Sequence, residues 1–126
     1  MYFNNLDLAK NRMHLKVDGK VDVAEMQAWS NDLLTKLKKL KPGFSVISEI
    51  LDFQPTTEEG RRILIETQRK AKEIGMGHVV RIVKNTNFVA AAQWQRSSRS
   101  IGYVAMEAES LEAAEKLLDE AENINR

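Results

Sequence analysis

The stretch FSVISEIL, residues 44–51, decides the fold, and DFQPTTEEGRR, residues 52–62, follows it directly. The first part is a short apolar run of the type expected for a β-strand covered on both faces. The second part predicts a loop and then a helix start, because Thr56 and Glu59 have the spacing of a capping box. In that box Thr56 accepts from the N–H of Glu59, and Glu59 reaches back to the N–H of Thr56. A strand that leads into a helix in this way predicts a crossover unit of a mostly parallel sheet.

Upstream of this stretch, residues 12–18 alternate between polar and apolar side chains, which predicts a half-buried strand. Residues 2–8 are a weaker candidate for its antiparallel partner, through a turn at residues 9–11. After Gly19 the apolar residues recur mostly at three- and four-residue spacing, which predicts a helix from about Val23 to Leu40. The first half of the chain is therefore interpreted as strand, strand, helix, strand.

Downstream, helical spacing continues from Thr57 to about Ile74, and the glycines that follow supply a stop. The remaining segments predict a buried strand, a loop leading into a helix, a short strand and a last helix: residues 78–84, 85–98, 101–105 and 110–121. Ser110 is the expected cap of the last helix, whose apolar stripe is Leu111, Ala114, Leu117, Leu118 and Ala121. The predicted fold class is α/β, a single domain over residues 1–126. Its sheet is mixed, mostly parallel and four- to five-stranded, with helices packed on it.

Composition narrows the class of protein. The chain has 126 residues, of which 43% are hydrophobic and 29% charged, as expected for one globular domain. It contains no cysteine, which excludes disulfides, thiolate metal sites and cysteine nucleophiles. No run approaches the ~20 apolar residues that a membrane helix requires. These observations predict a cytoplasmic protein that has no membrane partner and no cofactor.

The charges are unevenly distributed along the chain. Residues 61–99 carry nine basic side chains against two acidic ones, net +7, whereas residues 107–126 carry seven acids against two bases, net −5. We favour the interpretation that the two segments lie near each other and partly offset one another. The alternative is a surface for phosphate or an acidic partner. Because the whole chain has a net charge of only +1, a strongly basic nucleic-acid binder is not expected.

Few residues offer chemistry. His14 and His78 fall in predicted strands without an acid at a recognised spacing, so structural roles are favoured for both. The sequence has neither a dinucleotide fingerprint, nor a phosphate-binding P-loop, nor a serine nucleophile elbow. Asp52 ends a strand like a receiver phospho-acceptor, but the adjacent acidic pair that holds magnesium in receivers is missing. The sequence therefore predicts a protein that is not an enzyme.

A rival function is a small-molecule or nucleotide-binding domain, or an enzyme, that uses an aromatic-lined pocket. Its lining would be Trp29, Phe53, Phe88, Trp94 and Tyr103. These aromatic side chains fall in or beside predicted elements, which favours positions in the core.

Several segments together resemble the STAS family, the sulfate-transporter and anti-sigma-antagonist domains, and especially its sporulation anti-anti-sigma factors. They are VDGKVDVAEM, FSVISEIL, HVVRIVK and SLEAAEKLL, and the resemblance covers roughly residues 12–120. In that family the loop after the buried strand reads Asp-Ser-Ser-Gly, and a partner kinase phosphorylates its first serine to release the complex. Here Thr57, Glu58, Glu59 and Gly60 stand in that place, with Glu58 at the phospho-acceptor position.

The resemblance implies a non-enzymatic regulatory module whose partner is a protein, such as a regulatory kinase or an anti-sigma-like factor. The partner-binding residues it implies are Thr56, Thr57, Glu58, Glu59, Gly60, Arg61 and Arg62. Glu58 carries one negative charge where phosphoserine has nearly two, so mimicry of the phosphorylated state is partial. A homodimer supported by an exposed Phe3 or Trp94 and a monomer both stay open.

Overall fold

A computed structural model of the chain describes residues 2–19, 21–50, 57–83 and 106–124. Five strands and three helices lie in these ranges. In chain order they are β1 Tyr2–Asp7, β2 Arg12–Val17, α1 Val23–Leu37, β3 Ser45–Ile50, α2 Glu58–Ile74, β4 Val79–Val83, β5 Met106–Ala108 and α3 Leu111–Ile124. The helix and loop predicted over residues 85–98 and the strand predicted over 101–105 lie outside the described residues.

The five strands form one sheet whose spatial order is the chain order, β1-β2-β3-β4-β5. β1 pairs with β2 antiparallel, and every other neighbouring pair is parallel. Asn11 makes the first reversal with φ 54°, a left-handed conformation that asparagine adopts more readily than most residues. The predicted α/β class, with a mixed and mostly parallel five-stranded sheet and helices packed on it, is confirmed.

Helices α1 and α2 cover one face of the sheet. β2 contributes alternate apolar side chains to this face, and the period of two of a strand places them together. The buried residues of this core include Met13, Leu15, Val17, Met26, Trp29, Leu33, Val46, Leu64 and Ala71. Between the helices, the hydroxyls of Ser30 and Thr67 are 2.6 Å apart, and Thr67 also donates to the carbonyl of Ile63. The buried hydroxyls of Ser30 and Thr67 thus both have hydrogen-bond partners.

Helix α3 covers part of the opposite face, over β3, β4 and β5. Among the described residues its apolar patch is smaller and includes Ile47, Val80, Ile82, Ala114 and Leu118. Ser110 caps the helix as predicted, accepting from the N–H of Ala113 at 3.1 Å. The predicted stripe was wrong at Leu111, whose side chain is 42% exposed because it lies at the helix start, beyond the edge of the patch.

The helix ends follow local hydrogen bonding. α1 ends at Leu37, but the N–H groups of Lys39 and Leu40 still donate to the carbonyls of Lys36 and Leu37. This tightened last turn explains why the apolar spacing continues to Leu40, which is buried. α2 ends at Ile74 and is capped by Gly75, whose φ is 126°. A Cβ added at Gly75 would also lie 2.9 Å from the Cα of Pro42. The predicted glycine stop is therefore confirmed at Gly75.

Candidate functional site

The first turn of α2 follows the loop after β3, at the edge of the sheet where the parallel strands end. In open α/β sheets this is the edge at which ligands and partners usually bind. Thr57 is the N-cap, and its hydroxyl accepts from the N–H of Gly60 at 3.2 Å. The capping box predicted for Thr56 and Glu59 was wrong by one residue, since the third helical position is Gly60, which has no side chain to reach back. Thr56 itself lies outside the described residues.

The side chains of this first turn point to solvent. Glu58 is 72% exposed and Arg61 is 44% exposed, and their closest charged atoms are 3.9 Å apart. Glu59 and Arg62 are exposed as well. Because an exposed pair at this distance contributes little to stability, the charges of Glu58 and Arg61 stay available to another molecule. We refer to Thr57–Arg62 as the α2 cap surface.

The helix that carries the α2 cap surface is packed against the rest of the domain. Gly60 is buried, so the first turn approaches the rest of the domain at the one position without a side chain. One and two turns further on, Leu64 and Thr67 are buried in the interface with α1 and the sheet. The helix therefore presents four charged side chains outward while its inner side is fixed by packing.

His14 has an acidic neighbour that sequence spacing did not reveal. Its Nε2 lies 2.8 Å from a carboxylate oxygen of Glu49, across the parallel pair β2 and β3. The ring of Phe3 meets the imidazole edge-on, with centroids 5.2 Å apart. The expectation that His14 has no nearby acid was wrong, because the two residues are 35 positions apart and only the sheet brings them together. His78 was predicted to begin the strand over residues 78–84. In the structure it is exposed and lies just before β4, which begins at Val79.

Arg12 is a candidate functional residue that the sequence patterns did not indicate. Its side chain is only 2% exposed, and its guanidinium lies 3.1 Å from carboxylate oxygens of Glu115, Asp119 and Glu122 on α3. Burial alone lowers the pKa of Arg12, but the hydrogen bonds from Asp119, Glu115 and Glu122 outweigh burial and raise it. Arg12 therefore acts as a permanent cation that ties one face of α3 to β2.

Two neighbouring contacts extend this cluster on the same helix face. Lys10 donates to Glu115 at 3.0 Å, and the hydroxyl of Ser45 donates to Glu122 at 2.9 Å. The hydrogen bond to Glu115 raises the pKa of Lys10. Three of the acids of residues 107–126, Glu115, Asp119 and Glu122, are thus offset by the β1–β2 hairpin. The basic segment we favoured as their partner lies beside them through the pairing of β4 with β5. The spacing 115, 119 and 122, one helix face, was the available signal.

A second polar cluster lies at the open edge of β1. The side-chain amide of Asn4 donates to Asp32 at 3.0 Å, and Lys36 donates to the carbonyl of Asn4 at 2.8 Å. The hydrogen bond from Asn4 lowers the pKa of Asp32, with a further contribution from Lys36, although partial burial opposes it. Lys36 of α1 is thereby bound to the backbone of β1, an edge strand of the sheet.

The predicted aromatic pocket is tested at one position only. Trp29 is 1% exposed and belongs to the core under α1, where the sequence analysis favoured it. It lines an internal space of about 30 Å³ that also touches Ser48 and Arg81. Such a volume suits a water molecule or two and excludes a metabolite. Phe53, Phe88, Trp94 and Tyr103 lie outside the described residues, as do Asp52 and Thr56.

In residues 2–19, 21–50, 57–83 and 106–124, no three His, Asp or Glu side chains are grouped so that they could hold a metal ion. None of the helices in these ranges has the length and apolar character needed to cross a bilayer. No protein-family model matches the chain, and no curated protein matches it either.

Proposed function

We propose that this protein is a non-enzymatic regulatory module that binds a partner protein through the α2 cap surface, in the manner of STAS anti-sigma factor antagonists. The observation that carries the proposal is the exposure of Glu58, Glu59, Arg61 and Arg62 on one turn of a helix whose inner side is buried. Charged side chains of both signs on a fixed backbone provide directional contacts to a partner. Their position at the carboxyl edge of the sheet supports the same role.

Helix stability alone accounts for part of this pattern. Two acids in the first turn favour the positive end of the helix dipole, and Thr57 caps it. The dipole does not account for Arg61 and Arg62 at the fourth and fifth helical positions, because it gives no preference for a cation there. Retaining two arginines there fits a surface whose charges serve another molecule.

Glu58 gives the proposed surface a fixed state. The resemblance to sporulation anti-anti-sigma factors puts a serine that is phosphorylated at this position, whereas Glu58 has no hydroxyl and cannot be phosphorylated. Phosphorylation at this position therefore cannot release the partner, and the proposed interaction is with a partner that accepts a carboxylate there. A partner that recognises the charge of Glu58 should lose affinity when the charge is removed, and more when it is reversed.

Affinity capture from the native host tests the proposal, with the intact chain, Glu58→Ser and Glu58→Lys as baits. We expect Glu58→Lys to lose the partners that the intact chain recovers, and Glu58→Ser to recover less of them. The matched control is Glu112→Lys, which reverses an exposed charge in the first turn of α3 and should recover the intact set. Equal recovery by all four baits, or no specific recovery by any, would contradict the proposal.

The rival function, a small-molecule or nucleotide-binding domain, has most of its predicted lining outside the described residues. The pairing of His14 with Glu49 is a feature that enzymes of general acid–base type use. The same contact also has a purely structural role, because it links the side chains of the neighbouring strands β2 and β3. Turnover of a compound from a metabolite mixture, abolished by His14→Gln, would favour the rival over the interaction module.

A further inference from the structure

A groove lies at the end of the molecule opposite the α2 cap surface, between the C-terminal halves of α1 and α2. It has a volume of about 420 Å³ and is lined by Leu34, Lys38, Lys70, Glu73 and Ile74. Leu34 and Ile74 form its floor, half-buried against the main core. Lys38 and Lys70 are exposed, one on each helix. We refer to these five residues as the basic groove.

The surroundings of the basic groove are cationic. Residues 32–41 carry four lysines and one aspartate, and residues 66–74 carry three basic and two acidic side chains. Together they have a net charge of +4, against +1 for the whole chain. Lys38, Lys39 and Lys41 are all exposed. These two helix ends are therefore a region of net positive charge.

Helix capping does not explain the whole arrangement. A cation in the last turn offsets the helix dipole, and Lys36 and Lys72 occupy that position in α1 and α2. The dipole gives no reason for Leu34 and Ile74 to remain half-open to water between the two helices. An apolar floor with a lysine on either side is instead the complement of an apolar side chain flanked by acids.

We propose that the basic groove binds an acidic peptide segment of a partner protein, with one aliphatic or aromatic side chain on Leu34 and Ile74 and carboxylates at Lys38 and Lys70. This surface is separate from the α2 cap surface and goes beyond the proposed function. Glu73 in the lining disfavours closely spaced phosphates, which nucleic acids and anionic membranes present. A polyanion also gains its affinity from many contacts along a long track, whereas the groove offers two flanking lysines.

Fluorescence anisotropy with a defined probe tests this inference on the full chain. The probe is a labelled peptide, Glu-Glu-Glu-Leu-Glu-Glu-Glu, and the groove variant is Lys38→Gln with Lys70→Gln. Both lysines are exposed, so the variant should keep the circular dichroism spectrum and urea midpoint of the intact chain. We expect binding to weaken at least tenfold in the variant. Replacing the leucine of the probe by serine should weaken binding at least fivefold.

The matched control is Lys10→Gln with Lys116→Gln, which removes the same charge from exposed positions outside both the groove and the α2 cap surface. It should bind the probe within twofold of the intact chain. An equal loss in the control, or no binding of the probe by the intact chain at millimolar concentration, would overturn the assignment. Failure of the capture experiment on Glu58 leaves this result unchanged, because the two surfaces lie at opposite ends of α2.

Three other occupants are outcomes of the same design, and each would overturn the peptide assignment. A single-stranded oligonucleotide that binds more tightly than the peptide and depends on Lys38 and Lys70 would make the groove a nucleic-acid site. Vesicles containing phosphatidylserine that behave in this way would make it a lipid site. Association of the chain with itself in light scattering, lost in the groove variant, would make the occupant a second copy.

Discussion

Helices α1 and α2 are held on the sheet by a continuous apolar interface, whereas α3, among the described residues, is held by a smaller apolar patch together with the ion pairs of Arg12. The first interface includes Trp29, Leu64 and Met13, with the Ser30–Thr67 contact as a satisfied polar pair inside it. The second places three carboxylates around one buried guanidinium. Apolar contacts respond weakly to salt, but partly exposed ion pairs are screened by it.

The two helix layers therefore differ in what stabilises them: apolar contacts for α1 and α2, and apolar contacts plus ion pairs for α3. Both proposed surfaces, the α2 cap surface and the basic groove, belong to the layer with the apolar interface. The geometry of these surfaces therefore depends on apolar packing, whose density in protein interiors is similar to that of organic crystals. We expect this geometry to change little with ionic strength. Helix α3 covers part of the other face, and its attachment to the sheet depends partly on the ion pairs of Arg12. Variants in the two layers should consequently differ in both magnitude and salt dependence.

The largest effect is expected for Trp29→Ala, which removes a side chain that is 1% exposed from the α1 interface. Loss of a buried tryptophan costs roughly 3–5 kcal/mol of unfolding free energy. Urea unfolding at low and high sodium chloride should give nearly the same loss. Phe3→Ala is the control, since Phe3 is 37% exposed, and should cost less than about 1 kcal/mol. Similar losses for the two variants would contradict the account of the apolar layer.

Arg12→Met should have the next largest effect. It leaves Glu115, Asp119 and Glu122 close together without their cation. Removing one partner of a fully buried pair costs about 3–5 kcal/mol, and the exposure of the carboxylates reduces this to roughly 2–3 kcal/mol. Adding Glu122→Gln to Arg12→Met should recover part of the loss. The loss should shrink in 1 M salt, and a loss independent of salt would mean that Arg12 acts by packing alone.

Thr57→Ala should cost about 1 kcal/mol, because the N–H of Gly60 loses its acceptor at the helix start. Thr57→Ser retains the hydroxyl and is the matched control, with an expected loss near zero. Thermal unfolding followed by circular dichroism measures both. If the alanine and serine variants melt together, Thr57 does not act as the cap.

The smallest effect concerns Asp32 at the edge of β1. Its folded-state pKa is lowered, mainly by the hydrogen bond from Asn4, so its contribution to stability is present above the unfolded pKa of about 3.9. That contribution is lost as the pH falls through the folded pKa. The difference in urea midpoint between the intact chain and Asp32→Asn should therefore be present at pH 7 and disappear toward pH 2. A difference that persists at low pH would contradict this assignment.

The fold was predictable because its signals are local and periodic. Residues 44–51 and 78–84 are short apolar runs, and Thr57–Ile74 keeps helical spacing up to a glycine. Each pattern indicates the element that its residues form, so the order of the described strands and helices and the mixed sheet could be predicted. The elements predicted over residues 85–98 and 101–105 lie outside the described residues. The capping residue was misplaced by one position, because adjacent threonines both suit an N-cap and only the backbone distinguishes them.

The contacts between distant residues were not predictable from spacing. Arg12 reads as the polar position of a half-buried strand, yet it is buried because α3 returns over it more than 100 residues later. His14 and Glu49 meet only through the register of β2 and β3. The basic groove likewise combines the ends of two helices. Sequence spacing reveals which face a residue occupies, whereas tertiary structure decides what that face meets.

Hydrogen–deuterium exchange tests the central proposal most directly, with the full chain alone and with the partner recovered by capture. The first amides of a helix lack intrahelical acceptors, and Thr57 caps only that of Gly60, so the amides of residues 58 and 59 exchange quickly unless another molecule covers them. We predict that the partner slows exchange in residues 58–62 and leaves α3 unchanged, and that Glu58→Lys removes the protection. Protection confined to α3, or none in residues 58–62, would contradict a partner surface at the start of α2.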